Sequence, residues 1–173
     1  MKATFLCATA IALLSAPALA AADTGPTDPQ IAHIAYTAGN IDIAAAKLAL
    51  SKTRNPQVRE FARTMLRDHE AVNKQALALL DKLHVKPEAN GTSAGLSKQA
   101  DATRRRLSKL SGRAFDREYA RNEVAYHGTV NGALEKTLIP SSDNGELKEL
   151  LKTGLTLFRE HQDHARHLSA RLK

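Results

Sequence analysis

Between Val58 and Leu83, alternating steps of four and three residues pick out Val58, Ala62, Met65, His69, Val72, Ala76, Leu79 and Leu83. Seven of these eight are apolar, and a helix lays residues at that spacing along one stripe. The eighth is His69, in the middle, so a helix buried along this stripe carries an imidazole into the interior. A second stripe does the same near the C-terminus: Leu147, Leu151, Gly154, Phe158, His161, Ala165 and Leu168. A fold for this chain has to accommodate two inward histidines on two long helices.

Other segments read as helices of the same kind. Asp28 followed by Pro29 fits a cap with Pro at the first helical position, opening a helix over about 29–52. Its inward rows are Ile31, Ile34/Ala35, Ala38, Ile41/Asp42, Ala45 and Leu48/Ala49. Asn55-Pro56 caps the second helix, about 56–84, and the short connection makes the two antiparallel neighbours. Lys86–Gly95 reads as a loop, and 96–110 as a shorter, basic connecting helix ended by Ser111-Gly112. A helix over about 113–138 follows, with Phe115, Tyr119, Glu123, Tyr126/His127, Val130 and Leu134 inward. Pro140–Asp143 is a turn, and Asp143 with Glu146 resembles a capping box opening the last helix, about 144–171. No strand alternation occurs, so the expected fold class is an all-α four-helix bundle with a short extra connecting helix.

The connecting helix decides the topology. A direct link gives up-down-up-down; a climb back along the bundle gives the up-down-down-up order of ferritin-like folds. Counting depth from the helix ends favours the climb. It brings Asp42, His69, Glu123, His127 and His161 within about six residues of one level, roughly 9 Å of helix axis.

One layer of histidines and carboxylates permits two readings. Imidazole and carboxylate are ligands for zinc, iron or copper. Glu123 and His127 stand four apart and can aim at one centre, while Asp68 and Glu160 are candidates to orient ligands from behind. The alternative is a structural layer in which the same residues hydrogen-bond one another and Tyr36, Tyr119 or Tyr126. The Glu-x-x-His spacing of dinuclear bundles is absent, since Leu66 and Phe158 precede His69 and His161 by three. A third idea is a pH switch, with the inward imidazoles charging near pH 6 and repelling one another. His164 and His167 drift off the inner face, and His33 and His84 lie near helix ends; all four read as surface residues.

The N-terminus reads as a secretory signal over 1–20: Lys2, an apolar run from Ala3 to Ser15, then Ala18-Leu19-Ala20 as a small-x-small cleavage pattern. Residues 21–28 then form a linker to a single domain over 29–173. The apolar run is too short to span a membrane. Cys7, the only cysteine, falls inside it, so disulfides, thiolate catalysis and thiolate metal sites are excluded from the rest of the chain. Losing Lys2 lowers the formal charge from +7 to +6. An exported basic protein meets anionic envelope surfaces rather than nucleic acid. Arg104, Arg105, Arg106 and Lys109 are the candidate contact, or simply a solvated face. No catalytic triad signature or phosphate loop occurs, so no enzyme class is recognisable, and the oligomeric state is open.

Four separated stretches resemble one family. Asn55-Pro56-Gln57-Val58-Arg59-Glu60-Phe61-Ala62-Arg63-Thr64-Met65-Leu66-Arg67-Asp68-His69 resembles the N-P-x-V-x-x-F-A-x-x-M-x-x-D-H run of a bacterial exported family, domain of unknown function 4142. Gly112–Tyr119 resembles its G-x-x-F-D-x-x-Y, His127 falls on a family histidine, and Glu160-His161 on its C-terminal E-H. The resemblance implies the crossover, ferritin-like bundle and a periplasmic location; it implies no activity. There are two departures. Asp42 stands where the family carries Glu, and Leu157 or a neighbour replaces a Pro before the last histidine, implying a straighter final helix.

Overall fold

A computed structural model describes residues 25–172. The expected signal segment with Cys7, and residues 21–24 of the linker, lie outside the described residues. Six α-helices account for nearly all of the rest: α1 (Asp28–Lys52), α2 (Pro56–Lys82), α3 (Gly91–Ser108), α4 (Gly112–Ala133), α5 (Ile139–Ser141) and α6 (Gly145–Arg171). A π-helical segment, Leu134–Leu138, joins α4 to α5, and no strand occurs among the described residues.

Hydrogen bonds at the helix ends establish the topology. At the bottom, Asn90 Nδ2 donates to the Gln30 carbonyl (3.2 Å), and Asp28 Oδ2 accepts from the Asn144 amide (2.8 Å). At the top, Lys52 Nζ donates to the Ser108 carbonyl (2.7 Å), and Arg117 Nε to the Leu172 carbonyl (2.6 Å). α3 therefore climbs beside α1, and α4 descends again. The order of α1, α2, α4 and α6 is up-down-down-up: a ferritin-like bundle with α3 as the crossover.

Local chemistry accounts for the boundaries, including those that differ from expectation. Asn55 Oδ1 accepts from the amides of Gln57 and Val58, with Pro56 first in α2. Thr27, not Asp28, caps α1; the Asp28 carboxylate instead accepts from Ser142, Asp143 and Asn144, tying α1 to the turn before α6. The cap of α6 is Asn144, which accepts from the Leu147 amide, not Asp143. α3 starts five residues earlier than expected, inside the supposed Lys86–Gly95 loop. Asn90 and Ser93 each accept from the other's amide and hold its first turn despite Gly91 and Gly95. The descending helix does not stop at Leu138. Pro140 has no amide to donate, and the backbone widens into the π-helical segment before it.

The interior is two apolar clusters with a polar layer between them. The upper cluster includes Val58, Phe61, Met65, Phe115, Tyr119 and Leu168; the lower includes Ile31, Ile34, Leu134, Leu147, Leu151 and Phe158. Each fully buried large side chain contributes on the order of 1.5–3 kcal/mol of transfer free energy, so the two clusters clamp the layer from both ends. All seven residues of the α6 stripe are buried. On α2 the stripe holds as far as His69 and then rotates: Asn73 and Leu80 are buried, whereas Val72, Ala76 and Leu79 are only half-buried. Gly39 permits that rotation, because a Cβ there would lie 2.2 Å from Asn73 Oδ1.

Candidate metal centre

Each long helix sends its layer residue inward from the position its stripe assigns. Asp42 comes from α1, His69 from α2, Glu123 and His127 from α4, and His161 from α6; all are at most 3% exposed. The three imidazoles form a triangle, with ring centroids 5.7 Å (His69–His127), 5.3 Å (His69–His161) and 5.5 Å (His127–His161) apart. One nitrogen from each ring lies within 4.8 Å of the other two, and His127 also belongs to such a trio with Asp42 and Glu123. Asp42 Oδ2 is 3.3 Å from His69 Nε2 and 3.8 Å from His127 Nε2. Phe158 closes the layer from below, its ring stacked on His69 at 4.8 Å and 14°.

The outer atoms of the ligand set are held, and the inner ones are not. His127 Nδ1 lies 3.0 Å from the Glu123 carbonyl, which fixes that ring from its own helix. His161 Nε2 lies 3.0 Å from Asp68 Oδ2, and Arg67 Nε donates to the other oxygen of Asp68 (2.7 Å). Among the described residues, His127 Nε2, His161 Nδ1, both nitrogens of His69, Asp42 Oδ1 and Glu123 Oε2 have no hydrogen-bond partner. Tyr119 Oη makes none either, and Tyr126 Oη donates to the Ala38 carbonyl instead of to the layer. Buried polar atoms are ordinarily paired. Asp42 and Glu123 hydrogen-bond each other, but the imidazole nitrogens facing them stay unpaired among the described residues. His127 and His161 each have one nitrogen anchored and the other free, an arrangement that metal ligation uses, whereas neither nitrogen of His69 is anchored.

Protonation fits the same chemistry. Burial holds the His69 imidazole down to about 2, reinforced by His127 and His161, and brings His161 to about 4 against the pull of Asp68. Burial also lowers His127, opposed by Glu123. All three are neutral at pH 7 and offer lone pairs. Burial thus opposes the charging near pH 6 on which a pH switch would depend. Burial raises the Asp42 carboxyl to about 7, partly offset by Glu123, and pushes Glu123 well above the usual carboxylate range.

The remaining candidates fall elsewhere. Asp68 lies behind His161, but Glu160 is exposed: one step along a helix turns about 100°, so it cannot share the inward face of His161. Arg104, Arg105, Arg106 and Lys109 are exposed, with Arg104 paired to Asp101 and Arg106 to Glu118. His164 and His167 are also exposed, although the His164 ring meets Phe61 edge-on at 5.0 Å. Two further buried polar residues, Asn73 and Asn131, lie on the faces that carry the layer. Each stands four residues after a layer histidine, a spacing that marks the same face. Asn131 Nδ2 lies 3.3 Å from both the Phe158 carbonyl and Gln162 Oε1.

No helix of the described residues is long and apolar enough to cross a membrane. No curated protein matches the chain in sequence. Two solved structures share its fold. A DUF305 protein from Streptomyces coelicolor, named as a candidate secreted protein, superposes with a TM-score of 0.68 at 12% identity, covering 83% of this chain and 91% of its own. CopM in the Cu(II)-bound form superposes with a TM-score of 0.64 at 16% identity, covering 85% of this chain and 98% of its own. At these identities the likeness speaks for the fold alone. In sequence, residues 13–168 match the family described as Domain of unknown function (DUF4142), and the chain belongs to that family.

Proposed function

We propose that this protein is an exported, periplasmic, non-catalytic metal-binding bundle that takes one transition-metal ion in its buried layer. His69, His127 and His161 are the primary ligands and Asp42 the fourth, with Glu123 next to the site and Asp68 orienting His161. The observation that carries the reading is the convergence of three imidazoles from three helices: one nitrogen of each lies within 4.8 Å of the others, and each ring has an unpaired nitrogen. A tetrahedral zinc or copper ion, with bonds of about 2.0–2.1 Å, needs donors about 3.4 Å apart, so a small inward rotation of the rings completes the site. Neutral imidazoles with a carboxylate suit zinc, copper and iron alike. The Cu(II)-bound state named for CopM, on the same fold, places copper among the first ions to test. The N-terminal signal pattern and the secretion named for the Streptomyces relative support export.

Thermal melts of tag-free protein test this reading. Equimolar zinc, copper or iron raises the melting temperature of the parent chain and not that of His69→Ala/His161→Ala. A melting temperature indifferent to all three ions overturns it.

A further inference from the structure

Directly below the histidine layer lies a cavity of about 550 Å3. Its walls include Ile34, Val72, Leu80, Val130, Leu151 and Phe158, from α1, α2, α4 and α6. Among the described residues no charged side chain lines it, and Asn73 is the only lining residue that is both polar and buried. The Asn73 amide is already committed to Asn40 Oδ1 (3.0 Å). The exposed lining residues Gly91, Thr92, Thr129 and Thr137 place the opening between the start of α3 and the π-helical segment.

Close-packed interiors hold few voids larger than a water molecule, whereas ligand pockets run from about 300 to 1,000 Å3. The walls offer water few partners, and an apolar cavity stays dry and accepts apolar guests. An occupant that packs against these walls gains dispersion contacts and so stabilises the bundle.

We propose that this cavity binds one uncharged, mainly hydrocarbon small molecule. The missing charges select against fatty acids, phospholipid headgroups and amines, because nothing in the lining compensates an ion taken out of water. The volume suits a single small molecule rather than a partner's helix, which with side chains is about 10–12 Å across. Near the opening, the exposed Thr92 hydroxyl can meet one hydroxyl or carbonyl group, the amides of Gln30 and Asn90 being bonded already. Phe158 is the partition: it lines the cavity and its ring stacks on His69, so an occupant presses on the layer from below. The inference stands whether or not the layer holds a metal.

The test is a fluorescence titration of the whole protein with N-phenyl-1-naphthylamine, an uncharged apolar probe, followed by competition. The expected result is saturable one-site binding, displaced by 1-decanol and at least about tenfold less well by decanoate, a difference of about 1.4 kcal/mol. Ala76→Leu and Ala35→Leu, which fill the cavity from two different helices, each weaken probe binding without lowering the melting temperature. Absence of saturable binding overturns the proposal. So does equal competition by decanoate, or unchanged probe affinity in both variants with their helical content intact.

Discussion

His161 turns its Nε2 to Asp68 Oδ2 at 3.0 Å and leaves its Nδ1 unpaired inside the bundle. The carboxylate selects the tautomer with the proton on Nε2, which puts the lone pair of Nδ1 inside. Asp68→Ala therefore loses the orientation of one ligand without touching the site itself. Metal affinity should fall by about 10–100-fold with the fold retained, read by calorimetric titration. An unchanged affinity would mean that Asp68 does no more than solvate the α2–α6 seam.

Metal binding should be coupled to protons through the carboxyls and not the imidazoles. Asp42 is raised to about 7 by burial, so below that pH an incoming cation must displace its proton. His69 at about 2 and His161 at about 4 hold no proton to displace. Affinity should weaken as pH falls from about 8 to 6, and Asp42→Asn should flatten that dependence. Calorimetry in buffers of different ionisation enthalpy reads the protons released.

Stability without metal follows the same shifts. As pH falls below 6.5, the ordinary value for histidine, the unfolded chain takes up protons that the folded imidazoles refuse. Their contribution is thus lost as pH falls toward about 4. Asp42 works in the opposite direction: its folded value lies above 3.8, so its contribution is present at low pH and lost as pH rises through about 7. Asp42→Asn should therefore make the acid loss of stability steeper, and His161→Gln should make it shallower. Urea titrations between about pH 4 and 7 measure both slopes.

Much of this layer was legible in the sequence, because a helix that is apolar all along one side makes any histidine there conspicuous. The α6 stripe fell on the buried residues throughout. On α2 the alternating four-and-three rule ran true to His69 and then failed, since a straight helix advances by 3.6 residues per turn and Asn73 moved to the inside. Phe61 is buried next to Ala62 and was hidden by a rule that allows one residue per turn. The start of α3 was missed because Asn90, Gly91, Thr92, Ser93 and Gly95 have the composition of a loop; only the reciprocal Asn90–Ser93 bonds show a helix. Glu160 was misplaced by its adjacency to His161, which is proximity in sequence and not on the helix surface.

His84 closes α2 with φ +54°, its amide donating to the Asp81 carbonyl while the Val85 amide reaches Leu80. That is a Schellman cap with histidine where glycine is least strained. His84→Gly should stabilise the protein by about 0.5–1 kcal/mol, seen as a higher denaturation midpoint at unchanged slope.

Gly39 has the opposite expectation. Adding a Cβ 2.2 Å from the Asn73 carbonyl oxygen forces a buried, hydrogen-bonded side chain to move. Gly39→Ala should cost about 1–3 kcal/mol, and combining it with Asn73→Ala should recover part of that loss. Chemical denaturation of the two single variants and the double variant gives the coupling.

The central claim is that the inner imidazole nitrogens are metal ligands. It is tested most directly by 15N NMR of histidine-labelled, tag-free protein, titrated with zinc to one equivalent. The account predicts saturation at one ion per chain, with ligation shifts at His161 Nδ1, His127 Nε2 and one nitrogen of His69, and none at His164 or His167. Imidazole signals that do not move at one equivalent, or that move only at the exposed histidines, would contradict it.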